Sequence, residues 1–215
     1  MHRDELWRVI DDQRRTLTDQ LAELTDDEWR QPSLCAGWTV RDVTAHLTLQ
    51  HVGAGEALRG LARYRFDVFR ATREAACAKA AMPTEELIAE IRGHIGSRRH
   101  VPFVTANEAL IDVLVHGQDI MAPLGRRHDV PPHAAAAAAA RIWSRPFLFP
   151  AMKELRGYAF VSTDANFRAG DGPVIEGPIL AILLLLTGRR ALLGQLSGPG
   201  AAALSQPTTP GAAPA

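Results

Sequence analysis

Asp112 and His116 stand four residues apart in the stretch 106–124, and Asp119 follows three residues later. If this stretch is a helix, the carboxylate and the imidazole lie one above the other about a turn apart, with Asp119 continuing the same line. Two such donors on one rigid element are part of a divalent-metal site, and a third must come from elsewhere to fix the ion. His46, inside a second apolar segment, is the candidate. The residues also allow plainer readings. Asp112 and His116 alone would serve as a helix-surface pair worth a few tenths of a kcal/mol, and a single inward histidine is often a hydrogen-bonded core residue. A buried carboxylate with no cation or donor beside it would cost several kcal/mol, which favours ligation where the helix face is apolar.

The elements that would carry these residues are legible from periodicity. Leu110, Ile111, Leu114 and Val115 give the stretch 106–121 a buried face. Residues 40 to about 61 read as a helix whose start is marked by Thr39 with Asp42 three residues on, a capping box with Asp in place of Glu. Val43, His46, Leu47 and Gln50 then fall on one stripe, so His46 points inward, while His51 is turned off it by roughly 100°. The pair Gly53 and Gly55 is expected to loosen or end this helix. Residues 4–24 form an amphipathic helix through Leu6, Val9, Ile10, Leu17 and Leu21, and Thr25 with Glu28 starts a short second one. Residues 64–82 show no clean pattern. Thr84 is expected to cap a helix running to Arg99 through Leu87, Ile88 and Ile91. Four amphipathic helices of this kind bury their faces as a bundle, the setting in which facing side chains build metal sites.

Beyond Pro123 the character changes. The alanine run 134–140 predicts a helix reaching Ile142 or Trp143. Short β-prone runs separated by Gly and Asp turns between residues 157 and 178 predict a small antiparallel sheet, followed by a helix over 179–187. The division expected is a bundle over 1–145, a small α+β domain over 146–198, and a disordered tail over 199–215 rich in Gly, Ala and Pro. The fold class is thus mainly α with a small α+β appendage.

The 215 residues balance 24 Lys and Arg against 24 Asp and Glu. No global field recruits nucleic acid or an anionic membrane, so small molecules are the expected partners. Cys35 and Cys77 make no disulfide framework and fit a reducing compartment. The N-terminus lacks the apolar centre of a signal peptide, and the longest apolar run, 179–186, is far short of the roughly 20 residues a membrane helix needs. A cytoplasmic location is expected.

Three segments, SLCAGWTVRDVTAHL, EALIDVLVHGQDIMAPLG and VSTDANFRAGDG with EGPILAILLLLTGR, together resemble the mycothiol-dependent maleylpyruvate isomerase family. The resemblance implies a DinB-like four-helix bundle, a sterol-carrier-like C-terminal α+β domain, and a low-molecular-weight thiol of the mycothiol type as cosubstrate. It also implies a divalent metal, zinc first and nickel or another ion next, on His46, Asp112 and His116. The family pattern has Glu where this chain has Asp112, which shortens the ligand arm by one methylene. A cation on two neutral imidazoles and one carboxylate keeps positive charge and open positions, and a thiol taken up there is held as the nucleophilic thiolate. Adding to a conjugated double bond and leaving again would isomerise it; displacing a leaving group would transfer the sulfur. Gln50 and Asp119, each one turn from a ligand, are candidates to orient the ligands or contact the thiol. Cys35 reads as packing. Arg168, Arg189 and Arg190 are the basic candidates for a substrate carboxylate, with Arg189 preferred. A metal- and thiol-binding sensor without turnover is the alternative, and a monomer and a homodimer are equally compatible with the sequence.

Overall fold

Side-chain caps fix most helix starts in the first half of the chain. The protein is described by a computed structural model covering residues 1–99 and 104–205. It divides into two compact units, Met1–Ala134 and the chain from Ala135 onward.

In the first unit, α1 (Arg3–Leu21) buries Leu6, Val9, Ile10, Leu17 and Leu21 as the spacing requires. The Thr25–Glu28 capping box opens α2 (Asp26–Arg30). The Thr39–Asp42 box opens α3 (Val40–Thr48): Asp42 N–H donates to the threonine hydroxyl, and the aspartate accepts from Thr39 N–H at 2.8 Å. The helix expected to run to about Leu61 stops early. A 3₁₀ turn, Leu49–His51, intervenes before α4 (Ala54–Arg63), which starts from Gly53. The patternless stretch contains α5 (Val68–Lys79), capped by Asp67 accepting from Arg70 N–H. It escaped the periodicity argument because only Ala71 and Ala76 on it are buried.

Thr84 does not cap α6 (Thr84–Gly93). Pro83 occupies the cap position, the Thr84 hydroxyl turns to Glu85, and the helix ends at Gly93 rather than Arg99. The next helix, α7 (Ala106–Met121), has the extent the apolar spacing predicts and starts at a Thr105–Glu108 capping box. Helix α1 packs against α6 and α7, and α3 packs against the same two, with α5 also against α3. Helices α1, α3, α6 and α7 close around Leu17, Leu21, Val40, Val43, Leu47, Ile88, Ile91, Ile120 and Met121. Each such large side chain contributes about 1.5–3 kcal/mol by burial, so α3 and α7 are firmly placed relative to each other.

The second unit takes up α8 (Pro132–Ser144) from Ala135 onward, then the one-turn α9 (Met152–Leu155). Its sheet is mixed rather than antiparallel. Strand β1 (Ala159–Ser162) pairs antiparallel with β2 (Arg168–Ala169) and parallel with β3 (Val174–Gly177), Phe160 opposite Ile175. The Gly-Asp-Gly turn after β2 does not lead into an antiparallel neighbour. Its glycines at φ +78° and +124° instead take the chain across to the other edge of β1. Helix α10 (Ile179–Leu186) packs on β1 and β3 with seven of its eight residues buried. Among the described residues no helix is long and apolar enough to cross a membrane.

Residues 199–205, expected to begin a disordered tail, form α11 (Pro199–Ser205) against β3. Composition misled there because small residues are what the contact requires: a Cβ on Gly200 would lie 2.6 Å from Ile175 Cγ1. The rest of the expected tail, 206–215, lies outside the described residues.

Candidate metal centre

The α3–α7 contact brings three nitrogen and oxygen donors face to face. His46 comes from α3, Asp112 and His116 from successive turns of α7, and the ligand atoms of all three lie within 4.8 Å of one another. Asp112 Oδ1 sits 3.3 Å from His46 Nε2 and 3.3 Å from His116 Nε2. Ligands bonded to a tetrahedral zinc ion at about 2.0–2.2 Å are separated by about 3.3–3.6 Å, so these spacings match a coordination edge. The two imidazole rings meet edge to face with centroids 4.8 Å apart, and Trp38 stands 5.5 Å from the His46 ring. His46, Asp112 and His116 keep 17 %, 25 % and 14 % side-chain exposure, so the donors remain reachable from solvent.

The electrostatics prepare the same position for a cation. Burial raises the Asp112 carboxyl, but His46 and His116 outweigh it and hold the group well below the ordinary carboxylate range. Burial lowers His116, yet Asp112 above all, then Asp119 and Cys35, lift it well above the ordinary histidine range. A divalent ion ligated by such donors displaces any proton they share.

Asp119 is fully buried, and its Oδ2 lies 2.8 Å from His116 Nδ1. The Cys35 thiol donates to the same oxygen at 3.0 Å, and the Asp119 carbonyl accepts from Leu34 N–H. Asp119 therefore ties the loop before α3 to the back of the His116 ring, the contact that fixes which nitrogen faces a metal. Cys35, read as packing from sequence, packs against the core and also belongs to this polar group. Gln50 Nε2 donates to Asp112 Oδ2 at 2.5 Å. His51 stacks against His94 at 3.6 Å between centroids, off the ligand stripe as its rotation implied. His46 Nδ1 is buried without a hydrogen-bond partner among the described residues.

One residue of the network escaped the sequence reading. Arg14 of α1, 3 % exposed, donates to Gln50 Oε1 at 2.7 Å. The signal was present in the stripe of α1, where an arginine interrupts the run from Ile10 to Leu17. The arginines suggested for a substrate carboxylate belong to the second unit. Arg189 donates to Thr187 O at 2.8 Å, Arg190 to Leu204 O at 3.0 Å, and Arg168 is exposed.

Comparison with known proteins bears on the fold. Residues 10–102 match the family described as the mycothiol maleylpyruvate isomerase N-terminal domain, a span that includes His46 and stops short of Asp112 and His116. No curated protein sequence matches the chain. Among solved structures, the crystal structure of the mycothiol-dependent maleylpyruvate isomerase superposes with a TM-score of 0.62 at 15 % identity, covering 94 % of each chain. A histidine-to-alanine mutant of it gives 0.63 at 14 % identity over the same 94 % shares. Over residues 10–102 the chain is similar to the mycothiol maleylpyruvate isomerase N-terminal domain family, and over 94 % of its length it shares the fold of the mycothiol-dependent maleylpyruvate isomerase.

Proposed function

We propose that the protein is a divalent-metal-dependent enzyme that activates a low-molecular-weight thiol to isomerise, or transfer sulfur to, a small electrophile. The observation that carries this reading is the meeting of His46 Nε2, Asp112 Oδ1 and His116 Nε2 from two helices within ligand spacing of one another. A divalent ion held there, zinc by the donor set, supplies the Lewis acidity that keeps a thiol ionised near neutral pH. The chain's own residues do the rest. Asp119 fixes the His116 ring, Gln50 fixes the Asp112 carboxylate, and the solvent-reachable side of the three donors admits the reactants. The relatives' names point to mycothiol as the thiol and to a maleylpyruvate-like cis-enoic acid as the electrophile. Arg189 is the residue proposed to bind a carboxylate of that substrate through paired hydrogen bonds.

The test is elemental analysis and turnover on the same preparations. The wild-type chain should carry one tightly bound divalent ion, which the analysis also identifies, and should turn over only with thiol present. His46→Ala and His116→Ala should lose both the ion and the turnover. Turnover unaffected by both substitutions would overturn the proposal. Arg189→Ala should raise KM for a carboxylate substrate while leaving the ion in place, and an unchanged KM would remove that residue's role.

A further inference from the structure

The carboxylate at the centre of the three donors is not held by Gln50 alone. Gln50 spends its amide N–H on Asp112 Oδ2 at 2.5 Å and its amide oxygen on Arg14 NH2 at 2.7 Å, so both ends of one flexible side chain are committed. Arg14 is itself fixed. Its NH1 donates to the His94 carbonyl at 2.9 Å and lies 3.6 Å from Asp11 Oδ1. Asp11 in turn accepts from Gly96 N–H at 3.0 Å and from Arg98 at 2.9 Å. A continuous polar chain therefore runs from the segment after α6, through α1, to the oxygen of Asp112 that faces away from the two imidazoles.

We propose that Arg14 is a positioning residue for the metal centre, acting through Gln50 to hold Asp112 Oδ2 and leave Oδ1 for the cation. The inference rests on the metal-binding reading above. A glutamine amide is symmetric in shape, so nothing in Gln50 alone decides whether its NH2 or its oxygen meets the carboxylate. The Arg14 guanidinium can only donate. It therefore accepts no orientation of Gln50 except the one that aims NH2 at Asp112. The opposite orientation would set an amide oxygen against a carboxylate oxygen and push Asp112 out of place. Donation by a cation to the amide oxygen also polarises the amide and strengthens the N–H bond to the carboxylate. With Oδ2 tied in this way, Asp112 presents one oxygen to the two imidazoles, which keeps further coordination positions open for thiol and substrate. Asp11, shared between Arg14 at 3.6 Å and Arg98 at 2.9 Å, offsets part of the positive charge behind the site.

The experiment is zinc affinity measured by competition with a chromogenic chelator, on wild type, Arg14→Met, Arg14→Lys, Gln50→Met and the double variant Arg14→Met/Gln50→Met. Circular dichroism and the thermal midpoint of the metal-free chains are recorded alongside. Arg14→Met and Gln50→Met should each weaken zinc binding about ten- to a hundredfold, the range for groups that orient ligands. The double variant should be no weaker than Gln50→Met alone, because Arg14 works through Gln50. Arg14→Lys should recover part of the loss, since it still donates to Gln50 but cannot also span to the His94 carbonyl. A purely structural role would lower the metal-free midpoint while leaving zinc affinity per folded chain unchanged, which overturns the inference. So would tighter binding in Arg14→Met, or losses that add in the double variant. If Arg14→Met does not fold, Gln50→Met with Arg14→Lys carries the same comparison. Wild-type chain that binds no zinc would remove the metal reading itself, an outcome distinct from wild type and Arg14 variants binding equally well.

Discussion

Asp119 supports a candidate site from outside its group of three donors. It is sealed from solvent and carries no ligand role in the group of His46, Asp112 and His116, yet it holds the far nitrogen of His116 at 2.8 Å and accepts from the Cys35 thiol. Asp119→Asn keeps the shape but removes the charge that makes the imidazole a stronger donor. Zinc affinity should fall about ten- to a hundredfold, read by chelator competition, with the Cys35 loop still folded. Unchanged affinity would mean that Asp119 serves the loop and not the ligand. Gly117, next to His116, is constrained for a different reason. A Cβ there would lie 2.6 Å from Nε2 of His128, whose own Nδ1 is 2.6 Å from Gln20 Oε1. Alanine is the better helix former by about 1 kcal/mol, but pushing aside a buried ring costs about 1–3 kcal/mol. Gly117→Ala should therefore lower stability in urea unfolding. A gain would show that the His128 ring yields easily.

At the scale of elements, the three candidate ligands inherit their positions from helix starts. The box at Thr39 and Asp42 sets where α3 begins and hence which face His46 occupies, and the box at Thr105 and Glu108 does the same for Asp112 and His116. Thr39→Ala should cost about 1 kcal/mol of stability in denaturant titration. Thr84→Ala should cost well under half of that, because Thr84 caps nothing in α6. Equal losses would contradict the assignment of the cap to Pro83. The contrast also shows where sequence signals reach and where they fail. A Thr followed three residues later by an acid described the true boxes before α2 and α3. At Thr84 the acidic residues that follow suggested a cap, but Pro83 already has the extended backbone the cap position needs, and threonine slides into the first turn. Similarly, the Gly53 and Gly55 pair marked a real interruption, whereas the extra helix α5 was invisible because its buried residues are alanines, which leave no apolar period.

For the whole chain, the buried neutral histidines set an acid limit on stability. Burial pushes His128 down to about 4 and, with His51 and Arg14 nearby, His94 down to about 3, both from an ordinary 6.5. The unfolded chain takes up these protons below pH 6.5 while the folded chain does not. The stability the two groups contribute is thus full above pH 6.5 and is lost as pH falls through 6.5 towards 4, at up to about 1.4 kcal/mol per pH unit for each. Urea midpoints measured from pH 7 to 4.5 should fall, and fall less steeply in His128→Asn. Equal slopes would place the acid sensitivity elsewhere.

The sequence by itself determined the periodic helices, the two capping boxes that open α2 and α3, and the residue types able to bind a cation, because each depends on neighbours within a turn of chain. It could also place Asp112 and His116 on one helical face. Only the tertiary structure decided that His46 meets them, that Arg14 reaches Gln50 from a third helix, and that β3 lies parallel to β1. Those contacts join residues far apart in sequence, and their geometry follows from how whole helix faces and strands bury one another, which no local spacing encodes.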